Sequence, residues 1–303
     1  MTYGPLTAPS GDELEILTPS YAPDLELCRD LVASVRRFAP TGTRHRIIVP
    51  EHDRDLFAPL ANATVSVETV QDVLPGALRR LPRMNTWIDI HAPWPPVRGW
   101  VAQQLVKLAA VAASPARSVL VVDSDVVFVR PFALRDYTAG ASQVLYRLPD
   151  AVDRRMSRHM LWDDTARQLL GLPATATARR HDYICWPCLW NPAVVRGMLQ
   201  RVSAQAGGRP WTRVIGRCLH VSEMVLYGVF VDEIVSDTEV VTHIDEMRCL
   251  TQPDEVAFDH SAMDQFIAGL RPRDVAVMVS ARSGTPLQVR REAILRATSA
   301  LGQ

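Results

Sequence analysis

Short apolar runs alternate with amphipathic stretches at the start of the chain, and this pattern predicts a parallel sheet. The apolar runs are LEILTP (14–19), HRIIVP (45–50) and TVSVETV (64–70), and the stretches between them are PDLELCRDLVASVRRF (23–38) and DRDLFAPL (53–60). In the longer stretch, Cys28, Leu31, Val32 and Val35 share one helical stripe. Strand, helix, strand, helix, strand at these lengths indicates right-handed crossovers between parallel strands.

The pattern is less regular after residue 70. Residues 72–96 are rich in proline and tryptophan and predict a loop, whereas GWVAQQLVKLAAVAAS (99–114) predicts a helix that leads into the strand SVLVVDSD (118–125). A further strand is predicted in VVFVRPF (126–132). The other predicted helices are TARQLLGL (165–172), PAVVRGMLQRVSAQ (192–205), SEMVLYGVFVDEI (222–234) and FDHSAMDQFIAGL (258–270), and the strand-like segments are DYICWPCLWN (182–191), EVVTHI (239–244) and DVAVMVSA (274–281).

The charge balance and cysteine usage exclude several classes of protein. Lys+Arg and Asp+Glu both total 33, so nothing indicates a nucleic-acid or membrane-surface partner. We find no apolar stretch long enough for a transmembrane segment and no secretory signal pattern in the first residues. Five irregularly spaced cysteines suit a reducing compartment. We therefore expect a cytoplasmic protein, and its oligomeric state is open.

Asp123 and Asp125 stand one residue apart at the end of the apolar run VLVV. In an open parallel sheet, ligands bind at the carboxyl ends of the strands. Burial and mutual repulsion oppose ionisation of two such carboxylates, and a divalent cation removes that difficulty. Mg²⁺ and Mn²⁺ take one or two carboxylates plus phosphate oxygens. The spacing predicts a metal–diphosphate site, and the alternative is a surface turn in which the aspartates cap the next element.

Lys107 is the only lysine among the 33 basic residues, a bias that indicates GC-rich codons and a bacterial source. Trp100, Gln103 or Gln104, and Lys107 recur at three- and four-residue spacings and so share one face of the predicted helix. A lysine on that face can neutralise charge on a diphosphate leaving group. The alternative is an ordinary solvated side chain.

The segments GWVAQQLVKLAAV, VLVVDSDVVFVRPF, DYI and SEMVLYGVFV resemble the GT-A glycosyltransferases, and within them a bacterial family of unknown function. The resemblance covers about residues 14–280 and is most specific over residues 100–132. It implies an α/β, GT-A-type Rossmann-like fold with a mixed, mainly parallel sheet flanked by helices. We expect a single domain over residues 12–290, with a nucleotide-binding half (12–132) and an acceptor-side half (133–290) on one continuous sheet.

The resemblance also implies an activity. Such enzymes transfer a sugar from a nucleotide-diphosphate sugar, most often a UDP-sugar, to a hydroxyl-bearing acceptor, with Mn²⁺ or Mg²⁺ as cofactor. The identity of the acceptor, the sugar and the stereochemical outcome are open.

The resemblance assigns donor-site residues by position. Asp123, Ser124 and Asp125 match the Asp-x-Asp motif, which contacts the metal and the ribose. The residues matching the nucleoside loop and the donor-facing helix are Thr18, Pro19, Ser20, Tyr21, Gln103, Gln104 and Lys107. A third metal ligand, commonly histidine, is expected from the second half, and the candidates are His243 and His260.

Two acidic residues are candidates on the acceptor side, and with Lys107 they are the predicted catalytic residues. Ser222 suits an N-cap, which places Glu223 in a first helical turn as a general base or a ligand of the acceptor hydroxyl. The helix dipole alone would also account for a glutamate there. Asp182, at the start of a predicted strand, either binds sugar hydroxyls or merely ends a loop.

Two other functions fit the same motif. In haloacid-dehalogenase-like phosphatases the first aspartate, here Asp123, is a nucleophile. That family normally opens its core domain with this strand, whereas about three predicted strands come first here. It also uses a downstream basic residue, usually lysine, whereas the only lysine of this chain lies upstream. The other alternative is a non-catalytic protein that binds a nucleotide sugar without turnover.

Overall fold

A computed structural model gives the fold of residues 14–74, 76, 78–81, 84, 86–139, 142–235, 241–252, 256–257 and 259–302, the described part of the chain. Its strands are β1 (Leu14–Pro19), β2 (Arg44–Val49), β3 (Val65–Thr69), β4 (Leu78–Arg80), β5 (Thr86–Asp89), β6 (Ala92–Arg98), β7 (Ser118–Val121), β8 (Val126–Phe128), β9 (Thr138–Ala139), β10 (Ser142–Tyr146), β11 (Leu148–Val152), β12 (Arg180–Asp182), β13 (Cys188–Trp190), β14 (Val241–Ile244), β15 (Cys249–Gln252) and β16 (Ala276–Val279). Its α-helices are α1 (Leu25–Phe38), α2 (Arg54–Phe57), α3 (Val70–Val73), α4 (Gly99–Ala113), α5 (Ser157–Leu170), α6 (Pro192–Gln205), α7 (Trp211–Gly216), α8 (Glu223–Phe230), α9 (Met263–Ala268) and α10 (Leu287–Leu301).

The central sheet confirms the predicted α/β class. Among the described residues it has five strands in the order β13–β7–β1–β2–β3. β1, β2, β3 and β7 are parallel, and β13 runs antiparallel to β7. The first three strands begin and end within one residue of their predicted bounds. Because β1 and β7 are parallel neighbours, their carboxyl ends lie side by side at one edge of the sheet.

Helices pack on both faces of this sheet. Alternate residues of a strand point to opposite faces, so neighbouring residues of β1 contact different helices. On one face, Leu17 of β1 belongs to the same buried cluster as Leu105 of α4. On the other face, Ile16 packs in a cluster with Leu31 of α1. The predicted stripe of α1 is buried as expected, at Cys28, Leu31, Val32 and Val35.

The loop predicted for residues 72–96 is wrong, because β4, β5 and β6 form an antiparallel sheet there. Prolines at positions 93, 95 and 96 make β6 resemble a loop in the sequence. Within the described residues β6 pairs with β5 alone, so it is an edge strand, where proline costs no ladder hydrogen bond. Residues 75, 77, 82, 83 and 85 lie outside the described part of the chain.

The sequence predicts one continuous sheet for both halves, but among the described residues of the second half only β13 belongs to the central sheet. The second half forms the smaller sheets β14–β10–β9, β11–β12 and β15–β16–β8. Strand structure in the predicted segment 182–191 is confined to its ends, in β12 and β13. Helix α6 has its predicted bounds, and Ser222 caps α8 as predicted by accepting a hydrogen bond from the Val225 N–H at 3.4 Å. Predicted strand residues 239–240 and helix residue 258 lie outside the described part.

Helix α10 is absent from the predicted elements and crosses the predicted boundary at residue 290. Its residues Val289, Ala293 and Ala297 pack in one cluster with Val277 and Val279 of β16. Residues of α10 beyond position 290 therefore pack against β16. None of the described helices combines the length and the apolar character that a bilayer crossing requires.

A buried histidine links β1 to β2. His45 is 1% exposed, and its Nε2 lies 2.9 Å from the hydroxyl of Thr18. Burial lowers the pKa of His45 to about 3. The folded protein therefore keeps this imidazole neutral, whereas the unfolded chain protonates it below about pH 6.5.

We expect His45 to weaken the fold in acid. Its contribution is fully present above the unfolded pKa and is lost as the pH falls from about 6.5 towards 3, at up to about 1.4 kcal/mol per pH unit. Urea unfolding of the wild type and His45→Gln at pH 7 and pH 5 measures this. The wild type should lose more stability between the two pH values than the variant. Equal losses would contradict the assignment.

Candidate functional site

The two aspartates follow β7 in a tight turn at the carboxyl edge of the central sheet. Val122 still bonds to β1 through its N–H and the Leu17 carbonyl, at 2.9 Å. The Val126 N–H then donates to the Asp123 carbonyl at 3.1 Å, and β8 begins at once. Both carboxylates are thus placed at the strand ends, where parallel α/β sheets bind ligands.

Lys107 lies between two acidic side chains. Its Nζ is 2.8 Å from Asp123 Oδ1 and 3.0 Å from Glu223 Oε1. Lys107 and Glu223 side chains are each 4% exposed, whereas that of Asp123 is 27% exposed. Burial alone would lower the pKa of Lys107, but the charges of Asp123 and Glu223 outweigh it and raise the pKa. The lysine is therefore a permanent buried cation that joins α4, α8 and the end of β7.

Two further contacts hold this group in place. The Gln104 side-chain oxygen accepts a hydrogen bond from the Glu223 N–H at 3.0 Å. The Trp186 indole N–H donates to Asp123 Oδ2 at 3.2 Å. Of the two predicted glutamines, Gln104 faces the site and Gln103 is exposed on α4.

Asp125 is held differently. Its Oδ2 accepts a hydrogen bond from the Ala281 N–H at 2.9 Å. Burial and then the charge of Asp123 raise the pKa of Asp125 to about 6, although the Ala281 bond and the charge of Arg290 act in the opposite direction. The negative charge of Asp125 is thus poorly compensated within the protein.

A third carboxylate comes from the helical turn Ala22–Asp24, which follows β1. Asp24, which follows the end of β1, accepts a hydrogen bond from the Ser124 hydroxyl at 3.2 Å. Its pKa is raised, chiefly by burial and also by the charge of Asp123. We did not predict Asp24 from the sequence, because it lies five residues past the end of β1, whereas Asp123 lies two residues past the end of β7.

The site suits a divalent cation that shares its coordination with a substrate. Within the described residues, no three His, Cys, Asp or Glu side chains converge as an all-protein metal site. Mg²⁺ and Mn²⁺ are commonly held by one or two carboxylates, with water and phosphate oxygens completing the shell. The undercompensated charge of Asp125 beside Asp123 fits that mode of binding.

The predicted nucleoside loop lies at the tip of β1, at the same edge. Thr18 is fully buried and its hydroxyl contacts His45. The Ser20 N–H bonds to the Ile48 carbonyl at 2.9 Å. Tyr21 is 48% exposed, and its pKa is raised by burial and by the charge of Asp24. Of this group, Tyr21 offers the most accessible side chain to a ligand.

The two candidate histidines contact other residues. His243 Nε2 lies 2.5 Å from Asp232 Oδ1, and the other carboxylate oxygen of Asp232 accepts a hydrogen bond from the Tyr183 hydroxyl at 2.6 Å. His260 Nδ1 lies 3.2 Å from Glu292 Oε2 on the surface. The structure therefore brings neither histidine into contact with the aspartate pair.

Asp182 ends β12 and stays largely enclosed. Its Oδ1 accepts a hydrogen bond from the Ile184 N–H at 3.0 Å. Burial raises the pKa of Asp182, while that bond and the nearby His159 act against the rise. The His159 ring lies 4.6 Å from Trp162, which stacks on Trp100 of α4 at 5.8 Å between ring centroids.

Together, fold and site define an α/β protein whose parallel sheet carries a cluster of carboxylates and a buried lysine at its carboxyl edge. A family model matches residues 14–267, and the chain belongs to that family, which is described as a family of unknown function (DUF6492). No curated protein matches the chain.

Among solved structures, the chain is similar to apo mouse xyloside xylosyltransferase 1. The identity is 12%, the TM-score is 0.44, and the match covers 90% of this chain and 99% of that one. A likeness of this extent says nothing about the chemistry of this chain.

Proposed function

We infer that this protein is a metal-dependent glycosyltransferase. It moves a sugar from a nucleotide-diphosphate sugar, a UDP-sugar in our proposal, to a hydroxyl-bearing acceptor. The observation that carries the proposal is the pair Asp123 and Asp125 at the carboxyl edge of the parallel sheet, with the charge of Asp125 left undercompensated. A diphosphate held through a divalent cation would balance that charge.

Asp125, with Asp123, would hold the cation. The cation would supply positive charge that binds the diphosphate and stabilises the departing nucleotide. In this scheme Asp123 has two fixed contacts, to Lys107 and to the indole of Trp186, which set the orientation of its carboxylate.

Lys107 would contribute a second positive charge to the donor site. An ammonium group has three N–H donors, and Asp123 and Glu223 account for two of them. The third would donate to a phosphate oxygen of the donor. Glu223, tied to both Lys107 and Gln104, is then the residue that keeps the lysine in position.

On the acceptor side we assign the general base to Asp182. A carboxylate whose pKa is raised by burial accepts a proton from a hydroxyl more readily than a solvated one. Trp100 and Trp162 offer aromatic surface near His159 for the acceptor. Glu223 suits this role less well because its side chain is 4% exposed and is already paired with Lys107 at 3.0 Å.

A thermal-shift panel of UDP, GDP, dTDP and their sugars, each with and without Mn²⁺, tests the proposal. One nucleotide should raise the unfolding temperature only with the metal, since a ligand at 100 times its Kd adds about 2.7 kcal/mol to stability. Release of the free nucleotide diphosphate with an acceptor panel then tests turnover. Absence of any metal-dependent stabilisation across the panel would contradict the proposal.

One contact favours a phosphatase as the second candidate. Lys107 precedes the aspartates in the chain, yet its Nζ is 2.8 Å from Asp123, where an aspartyl-phosphate enzyme of the haloacid-dehalogenase type needs a basic residue. Phosphate release from p-nitrophenyl phosphate, lost in Asp123→Asn, would identify that activity. We expect no such release.

A further inference from the structure

The C-terminal segment completes the carboxylate site, although the family match ends at residue 267. β16 pairs antiparallel with β8, the strand that follows Asp125. The helical turn Ala281–Ser283 comes directly after β16, and its first N–H is the donor to Asp125. Residues beyond the family match therefore contribute a hydrogen bond to the site.

Arg290 lies beneath this turn as a buried cation. The residue is 3% exposed, and one Nη atom donates to the Ser280 carbonyl at 2.8 Å. Its Nε has no hydrogen-bond partner. Among the described residues, no carboxylate lies close enough to Arg290 to form an ion pair. A buried guanidinium without an anionic partner is costly, so the fold keeps Arg290 at the expense of stability.

The nearest charges identify where Arg290 acts. Burial lowers the pKa of Arg290, and the charges of Asp125 and then Asp24 partly restore it. Arg290 therefore lies within electrostatic range of the carboxylates at the sheet edge, without contacting them. A second arginine, Arg282, lies on the solvent side of the same turn, where its charge lowers the pKa values of Tyr21 and Asp24.

Among the described residues, neither of these arginines forms an ion pair with a carboxylate. Lys107 already contacts Asp123 and Glu223 and keeps one N–H donor for a phosphate oxygen. A diphosphate bound through a cation at Asp125 still carries negative charge on its outer oxygens, and the planar guanidinium fork matches phosphate geometry. We propose that Arg282 and Arg290, the C-terminal arginine pair, bind the diphosphate of the nucleotide substrate. The assignment rests on the proposed function, since it takes the ligand to be a nucleotide diphosphate.

Inorganic pyrophosphate with Mn²⁺, titrated calorimetrically into the full chain, tests the arginine pair without assuming a nucleobase. Arg290→Met should weaken pyrophosphate binding about 100-fold, and Arg290→Lys about 10-fold, because lysine keeps the charge but loses the fork. Arg282→Gln should weaken binding severalfold, and more at low salt than at high salt because Arg282 is exposed. Mn²⁺ affinity measured without pyrophosphate should stay within twofold.

Arg291→Met is the matched control. Arg291 follows on the same helix and pairs with Glu26 and Asp30, at 3.0 and 2.9 Å, so its loss should leave pyrophosphate binding unchanged. Circular dichroism and thermal unfolding verify the fold of each variant, and Arg290→Lys decides the question if Arg290→Met does not fold. Wild-type affinity in a folded Arg290→Lys and in Arg282→Gln would overturn the proposal.

Failure of the arginine proposal can be distinguished from failure of the proposed glycosyltransferase function. If the protein transfers no sugar but the arginine variants still lose pyrophosphate binding, the pair binds a diphosphate of another kind. If Asp125→Asn loses metal-dependent UDP binding while both arginine variants retain it, the donor site stands and the arginine pair has no part in it.

Discussion

Asp125→Asn loses sugar transfer by at least about 1000-fold and yet unfolds at a higher temperature than the wild type. The asparagine oxygen can still accept the hydrogen bond from the Ala281 N–H, so the turn after β16 is kept. Because burial and Asp123 raise the pKa of Asp125 to about 6, its charge at neutral pH opposes folding. Removing that charge should stabilise the protein by up to about 2–3 kcal/mol.

Nucleotide release with the identified donor, and thermal unfolding at pH 7.5, measure the two effects. Asp55→Asn, on the exposed side of α2, is the control and should change neither activity nor stability. A stabilised but inactive protein is the signature of a charge retained for function. An Asp125→Asn protein that keeps its activity, or that is clearly destabilised, would show that this carboxylate serves the fold instead.

Lys107→Met destabilises the protein by about 3–5 kcal/mol, because it leaves the buried Glu223 carboxyl group without its cationic partner. Adding Glu223→Gln should recover most of that loss, since glutamine carries no charge and fills nearly the same volume. Activity should remain lost in the double variant, because the positive charge for the diphosphate is gone.

Urea unfolding of the wild type, both single variants and the double variant gives the coupling energy between Lys107 and Glu223. Nucleotide release assays of the same four proteins separate stability from catalysis. A Lys107→Met protein as stable as the wild type, or a double variant with restored activity, would contradict these roles of Lys107.

Local patterns in the sequence predict the elements that position the site. The spacing of apolar residues reveals the strand at 14–19 and the buried stripe of α1. The change from apolar residues to carboxylates after Val122 marks the end of β7. The N-cap at Ser222 places Glu223 in the first turn of α8, as predicted. The pairing of Glu223 with Lys107, 116 positions earlier, follows from packing between helices, which local spacing does not encode.

The features that the sequence did not predict depend on long-range contacts. The prolines of β6 make this segment resemble a loop in the sequence. They are tolerated there because β6 is an edge strand among the described residues. The turn at Ala281 reaches Asp125 because residues 276–278 of β16 pair with residues 126–128 of β8, which lie more than 140 positions earlier in the sequence. Histidine is a residue type expected of a metal ligand, yet the ring of His243 contacts Asp232 instead.

Crystals of the protein grown with MnCl₂ and UDP, and measured at the manganese absorption edge, test the central claim most directly. We predict an anomalous peak in contact with the Asp125 carboxylate and with an oxygen of the diphosphate. A map in which UDP is bound but no peak lies at Asp125, whose carboxylate still bonds only to the Ala281 N–H, would contradict it.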